Sequence, residues 1–272
     1  MHKVVIDGSM SRIKENMAKV KNKVIVMSNK GGVGKSSVAV SFAALLSRKG
    51  FKVGLLDIDI HGPSIAKMTG LEGVSPVSDG KSIEPVPVRE NLVMLSMGSL
   101  MKEGGIPVIW RGPMKLTVLK QFLADVNWGD LDYLIIDAPP GTGDEPLSIC
   151  QLLPGLAGGV VVTTGQEVAL LDSKKAVNFL KQLGVRVLGI VENMTAFPCP
   201  HCGKSVNLFK AGGGERAAAA LAVPFLGGIP FDPDMLEAGD KGLLFVETKK
   251  DSPAARALMS VVETAVKGLQ AD

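Results

Sequence analysis

Apolar residues come along this chain in short unbroken runs. Residues 23–28 read KVIVMS, 52–59 KVGLLDID, 92–97 LVMLSM, 133–139 YLIIDAP, 159–164 GVVVTT, 185–193 VRVLGIVEN and 225–230 FLGGIP. Consecutive aliphatic positions, in place of strict alternation, suit strands covered on both faces. Helices are predicted between them. Residues 36–49 begin at a serine and stop at Gly50, a C′ glycine. Residues 113–126 carry Pro113 in the first turn. Residues 167–183 end before Gly184, and 252–269 open with Ser252 as N-cap and Pro253 at the first helical position. Strands alternating with helices predict an α/β fold: a doubly wound, mostly parallel sheet with helices on both faces. Residues 23–272 read as one domain behind an N-terminal extension, 1–22. The Pro-, Gly- and Ser-rich stretch 70–91 reads as an excursion from that domain.

Composition narrows the class. The 272 residues are 46% hydrophobic and 21% charged, enough for a large core without disulfide staples. A net charge of +3 is too slight to argue for nucleic acid or anionic lipid as a partner. Three cysteines make no disulfide framework, so a reducing, cytoplasmic setting is expected. The start is basic and polar through Lys23, unlike a signal peptide, and no apolar run is long enough for a membrane span. The cations Arg12, Lys14, Lys19, Lys21 and Lys23 read as a solvated face. Residues 254–269 carry an apolar stripe at Leu258, Val261, Val262 and Ala265 with two cations and no Trp or Phe, so they read as a helix packed on the domain.

The first apolar run leads into SNKGGVGKSS (28–37), and a predicted helix follows. A glycine-rich turn between strand and helix aims backbone N–H groups at phosphate. Gly31, Gly32, Val33 and Gly34 would form the cradle, with Ser37 beside it. Lys35 would reach the outer phosphates, and the Ser36 hydroxyl would ligate magnesium. The strict P-loop pattern wants glycine where Asn29 stands, and Lys30 precedes the glycine pair. This form resembles the deviant P-loop of the ATPase class that includes septum-site, partition and arsenite-pump proteins. The resemblance implies a dimer in which Lys30 crosses to the partner's phosphates.

Asp57 and Asp59 end the second run and Asp137 the fourth, at strand C-termini where open α/β sheets bind ligands. The resemblance assigns Asp59 to the attacking water and Asp57 and Asp137 to magnesium. Loop-capping is the alternative role for such aspartates. APPGTGD (138–144) reads as a nucleotide-sensing switch. Asn193 ends the VEN run, and Asp232 lies in IPFD (229–232). In the deviant class these two places hold adenine, whereas local hydrogen bonding is the plainer role.

FPCPHCGKS (197–205) places Cys199 and Cys202 three apart, inside an inserted segment of about 194–212. Cys150, among apolar residues in a predicted helix, reads as core. Zinc and cubane iron–sulfur sites both want four ligands, and one chain offers two adjacent thiols. If the deviant loop implies a symmetric dimer, two copies supply four sulfurs on the two-fold axis. A redox pair, half a zinc site and half a bridging [4Fe-4S] site all remain open on spacing. A redox pair, however, expects a thioredoxin-like domain for which no residues are left over.

From about Lys23 to Gly242 the chain resembles the Mrp/ApbC family of iron–sulfur cluster carrier ATPases. The marks are KGGVGKSS, LLDIDIHGPS, WRGPM (110–114), LIIDAPPGTGD, ENMTAFPCPHCG and IPFDPDM (229–235). The resemblance implies a homodimer that binds and slowly hydrolyses ATP with magnesium. It further implies a labile [4Fe-4S] cluster held on Cys199 and Cys202 of both subunits and passed to apoproteins. The four-cysteine ferredoxin-type motif of some relatives is missing, so no second, stable cluster is expected. A positioning ATPase of the same fold and a zinc-bridged dimer are the rival functions.

Overall fold

A computed structural model describes residues 8–59, 62–100, 112–199, 201–202, 204–206 and 212–270. Eight strands form the central sheet: β1 (Val20–Met27), β2 (Val53–Asp57), β3 (Val86–Arg89), β4 (Leu92–Ser96), β5 (Leu131–Asp137), β6 (Leu156–Thr164), β7 (Val187–Asn193) and β8 (Phe225–Ile229). Their spatial order is β8-β7-β6-β1-β5-β2-β4-β3. Every neighbouring pair is parallel except β3 with β4. The longer helices among the described residues are α1 (Gly8–Met17), α2 (Lys35–Arg48), α3 (Gly112–Ala124), α4 (Asp144–Leu152), α5 (Glu167–Gln182), α6 (Gly213–Leu221), α7 (Pro233–Asp240) and α8 (Pro253–Gln270).

The unbroken apolar runs are explained by two cores, one on each face. In β1, Val24 and Val26 face a core built with α2 and α8, while Ile25 and Met27 face a second core under α1, α3, α4, α5 and α6. Leu55 and Leu56 divide in the same way along β2. Alternation of side chains therefore leaves no polar face on these strands. The α8 stripe expected to pack does so, with Leu258, Val261, Val262 and Ala265 at 2% exposure or less. Ser252 caps that helix by accepting the Ala255 N–H at 3.1 Å. No helix among the described residues is long and apolar enough to cross a membrane.

Two features differ from the sequence pattern. The stretch read as an excursion supplies the edge strand β3, whose Pro87 suits an edge. The segment 1–22 supplies α1, whose Ile13 and Met17 are fully buried, and the first residues of β1. Lys23 is not on a solvated face. Its Nζ is buried and donates to the Met17 and Val20 carbonyls at 3.1 and 2.9 Å. Arg12 and Lys21 do lie at the surface, paired with Asp125 and Asp132.

The parallel strands bring the ends of β1, β2, β5, β7 and β8 to one edge of the sheet. The chain leaves β1 toward β2 on one side and later occupies β6 on the other. Beside β1, where that order reverses, an open α/β sheet has its ligand crevice.

Candidate functional site

The loop after β1 turns into α2 through Gly32 and Gly34, with φ of +78° and +81°. These left-handed angles favour glycine. At Gly34 space demands it as well, since a Cβ would lie 2.1 Å from Asn193 Nδ2. Gly34 is the N-cap of α2, and no side chain caps its first turn. The first N–H groups of α2 have no intrahelical acceptor. They border a cavity of about 340 Å³ lined by the loop, Ser36, Ser37, Asp59 and Pro140. That is an anion site in form.

Three of the predicted residues meet at the cavity floor. Lys35 Nζ lies 2.5 Å from Asp137 Oδ1, and the Ser36 hydroxyl donates to Asp137 Oδ2 at 2.6 Å. Asp57, on the neighbouring strand, accepts from the Ser96 hydroxyl at 2.8 Å and from the Asp59 N–H at 3.0 Å. Burial pushes the Asp57 carboxyl up to about 7, and the nearby Asp137 carboxylate adds to the rise. Burial also raises Asp137, against the pull of Lys35 and Ser36. Asp59 lies past the end of β2, so it does not share a strand face with Asp57. Its carboxylate accepts the Gly62 N–H at 3.1 Å, and both residues line the cavity. Residues 138–144 touch the phosphate loop directly, through the Gly141 N–H on the Ser28 carbonyl at 2.8 Å. Among the described residues, no three His, Cys, Asp or Glu side chains are grouped to cage a metal ion. Magnesium does not require such a cage, because it takes one or two protein oxygens together with phosphates and waters. Ser36, Asp57 and Asp137 are oxygen donors of the kind it binds.

Lys30 does not project freely. Its Nζ pairs with Asp172 Oδ2 on α5 at 2.8 Å, and Asn29 Nδ2 donates to Asp172 Oδ1 at 2.7 Å. Burial pushes Asp172 upward, but the bonds from Lys30 and Asn29 outweigh it and hold the carboxyl below its usual range. Asn193, at the end of β7, donates to the Val33 carbonyl at 2.9 Å, so it grips the phosphate loop from beneath. Asp232 is the N-cap of α7, accepting the Asp234 N–H at 3.1 Å. It also borders an apolar hollow with Phe231, Pro233, Pro253 and Ala254. The structure thus brings Lys35, Ser36 and Asp59 to one cavity, with Asp137 buried behind Lys35 and Ser36, Asp57 buried on the neighbouring strand, and Asp232 at a separate hollow.

The Cys pair sits on a small hairpin. Phe197–Pro198 pairs antiparallel with Ser205–Val206, and the Cys199 N–H donates to the Lys204 carbonyl at 2.9 Å. Cys199 is half-buried and Cys202 exposed, both as free thiols. Backbone N–H groups of Cys202 and His201 directed at the Cys199 sulfur lower its pKa, favouring the thiolate that binds metal. Cys150 packs against the core of the α4 face, and burial pushes its thiol up to about 11. Trp110 and Arg111 of the WRGPM motif lie outside the described residues.

Sequence reasoning did not single out Ser96, Asp172 or Glu192. Ser96 and Glu192 were visible as polar residues closing apolar strands, which is where a buried polar group needs a partner. Asp172 left no such signal, being one charge among several on a helix.

A family model described as a NUBPL iron-transfer P-loop NTPase of the ParA group matches residues 19–266. The iron-sulfur cluster carrier protein of Methanocaldococcus jannaschii is 47% identical over 255 residues, covering 93% of this chain and 88% of that protein. The cytosolic Fe-S cluster assembly factor CFD1 of Saccharomyces cerevisiae is 44% identical over 261 residues, covering 94% and 89%. Among solved structures, a nucleotide-binding protein of Archaeoglobus fulgidus in complex with ADP superposes with a TM-score of 0.76 at 38% identity, covering 86% of this chain and 92% of that one. The cell division ATPase MinD of Pyrococcus furiosus shares the fold, with a TM-score of 0.63 at 22% identity over 90% and 98% of the two chains. From β1 into α8, then, this chain is a member of the NUBPL iron-transfer P-loop NTPase family.

Proposed function

We propose that this chain is an iron–sulfur cluster carrier that binds ATP with magnesium and hydrolyses it slowly. As a homodimer it would hold a labile [4Fe-4S] cluster on Cys199 and Cys202 of both subunits and pass it to apoproteins. The observation that carries this reading is the hairpin: two adjacent thiols in a motif too small to complete a four-ligand sphere alone. The names of the cluster-carrying relatives support the cargo, and the phosphate loop supports the nucleotide.

The residues divide the work as follows. The backbone of Gly31 to Gly34 and the start of α2 bind phosphate. Lys35 neutralises the outer phosphates and, in exchange, gives up part of its bond to Asp137. Ser36, Asp57 and Asp137 would hold magnesium, whose charge offsets that building on the phosphates. Asp59 orients the attacking water, and Lys30 of one subunit completes the partner's site. Asn193 and Asp232 flank the adenine. ATP couples to the cargo if it favours one dimer arrangement over another.

Anaerobic iron, sulfide and zinc analysis with absorbance and mass measurements tests the reading. About four irons and four sulfides per dimer are expected, with the charge-transfer band lost in Cys199→Ala. Zinc alone, or a full cluster on a monomer, would overturn it. Lys35→Ala is expected to take up cluster yet fail ATP-dependent transfer to an apoprotein.

A further inference from the structure

Two of the sequence marks, ENMTAFPCPHCG and IPFDPDM, meet at one pair of rings. Phe197 opens the cysteine hairpin and Phe231 lies just past β8. Their rings stand edge-to-face, with centroids 5.6 Å apart and planes at 70°. That arrangement sets the positive edge of one ring against the negative face of the other. Both residues are half-buried, and neither belongs to the two cores on the sheet.

The backbone around the pair is bonded as well. The Thr195 N–H donates to the Ile229 carbonyl at 3.0 Å, and the Phe231 N–H donates to the Ala196 carbonyl at 2.7 Å. The chain entering the hairpin is thus laid along the chain leaving β8. Gly228 lets it lie close, since a Cβ there would stand 2.8 Å from Thr195 Cγ2. Only Pro198 separates Phe197 from Cys199. Farther out the hairpin meets water, with His201, Cys202, Lys204 and Val206 exposed. An isolated two-stranded hairpin is marginal in water. Its place on the domain therefore depends on what it packs against.

We propose that Phe231 is a positioning residue that seats the cysteine hairpin through Phe197 and so fixes where Cys199 and Cys202 are presented. The bonds at Thr195 and Ala196 hold the hairpin's root, and the ring contact sets the direction in which the hairpin leaves it. This rests on the carrier reading above. A cluster shared by two chains needs four sulfurs in one place at once, and a hairpin free to swing holds it less well. Because neither ring is part of a core, weakening their contact releases the hairpin and leaves the domain folded.

The test uses full-length wild type, Phe231→Leu, Phe231→Tyr, Phe197→Leu and the double Leu variant, all anaerobic and reduced. Leucine keeps apolar bulk and removes the ring; tyrosine keeps the ring. Amide hydrogen exchange is followed by mass spectrometry over residues 195–206, with α2 and α8 as references. Each single Leu change is expected to speed exchange over 195–206 by about two- to ten-fold, the effect of losing one aromatic pair. Phe231→Tyr should stay within about two-fold of wild type. The double variant should be no faster than the faster single one, because both changes remove the same contact. Unchanged exchange, additive effects, or an acceleration shared by α2 and α8 overturns the proposal. The same proteins, loaded with iron and sulfide, are then challenged with a chelator. The Leu variants should lose iron about two- to ten-fold faster than wild type or Phe231→Tyr. Equal rates of loss would show that the ring pair does not position the thiols, and the proposal falls. A wild type that takes up no cluster overturns the carrier reading instead, and the exchange rates still decide whether Phe231 seats the hairpin. Should Phe231→Leu not fold, Phe197→Leu decides alone.

Discussion

Asp57 and Asp137 end neighbouring strands at 0% and 1% exposure, with Lys35 ion-paired to Asp137. The native protein without nucleotide therefore holds a proton on Asp57 up to about pH 7, whereas an unfolded Asp57 would lose it near 3.8. Its contribution to stability is fully present below the unfolded value and is lost as pH rises through the native one. We expect the stability of wild type minus that of Asp57→Asn to fall between about pH 4 and 7 and then level off. Thermal unfolding across that range checks this, and a flat difference would show that Asp57 titrates normally. Gly34 is a second residue with one permitted identity. Gly34→Ala adds a strained left-handed angle, about 1–2 kcal/mol, to a steric collision with Asn193. Loss of nucleotide binding together with a lowered melting temperature is the expected outcome, measured by titration with a fluorescent ATP analogue and by calorimetry.

Among the elements, α1 is the one whose weight the sequence concealed. Its polar, basic composition masks two core residues, and Ile13→Ala should cost about 2–5 kcal/mol, as for other large-to-small core changes. A chemical-denaturation midpoint unmoved by that change would mean α1 is dispensable to the domain. The buried parallel strands were legible because two-sided burial writes itself as continuous aliphatic runs. The edge strand β3 was not, because a proline-bearing strand with one neighbour leaves no such run. The phosphate loop was legible because its glycines answer to backbone angles. The pairing of Lys30 with Asp172 was hidden, since 142 positions of chain separate two surface-type charges that only the fold brings together. The grip of Asn193 on Val33 was hidden for the same reason.

At the scale of the whole molecule, the Lys30–Asp172 pair bears on assembly. In the proposed dimer Lys30 leaves Asp172 for the partner's phosphates, so the two contacts compete. Lys30 is half-exposed, and solvent screens such pairs to about 1 kcal/mol or less. Asp172→Asn should therefore tighten Mg-ATP-dependent dimerisation by about two- to five-fold, read by sedimentation equilibrium. A dimer constant equal to that of wild type would mean that Lys30 stays at home in the assembled state. Partner contact also has a direction. The sheet's outer strand on one side runs against its neighbour and includes Pro87, so any chain approaching along that flank meets an interrupted row of donors. Lateral growth into longer ribbons is discouraged at that flank, in keeping with the proposed dimer, in which protomers would meet instead through the loops that bear the sulfurs and the phosphates.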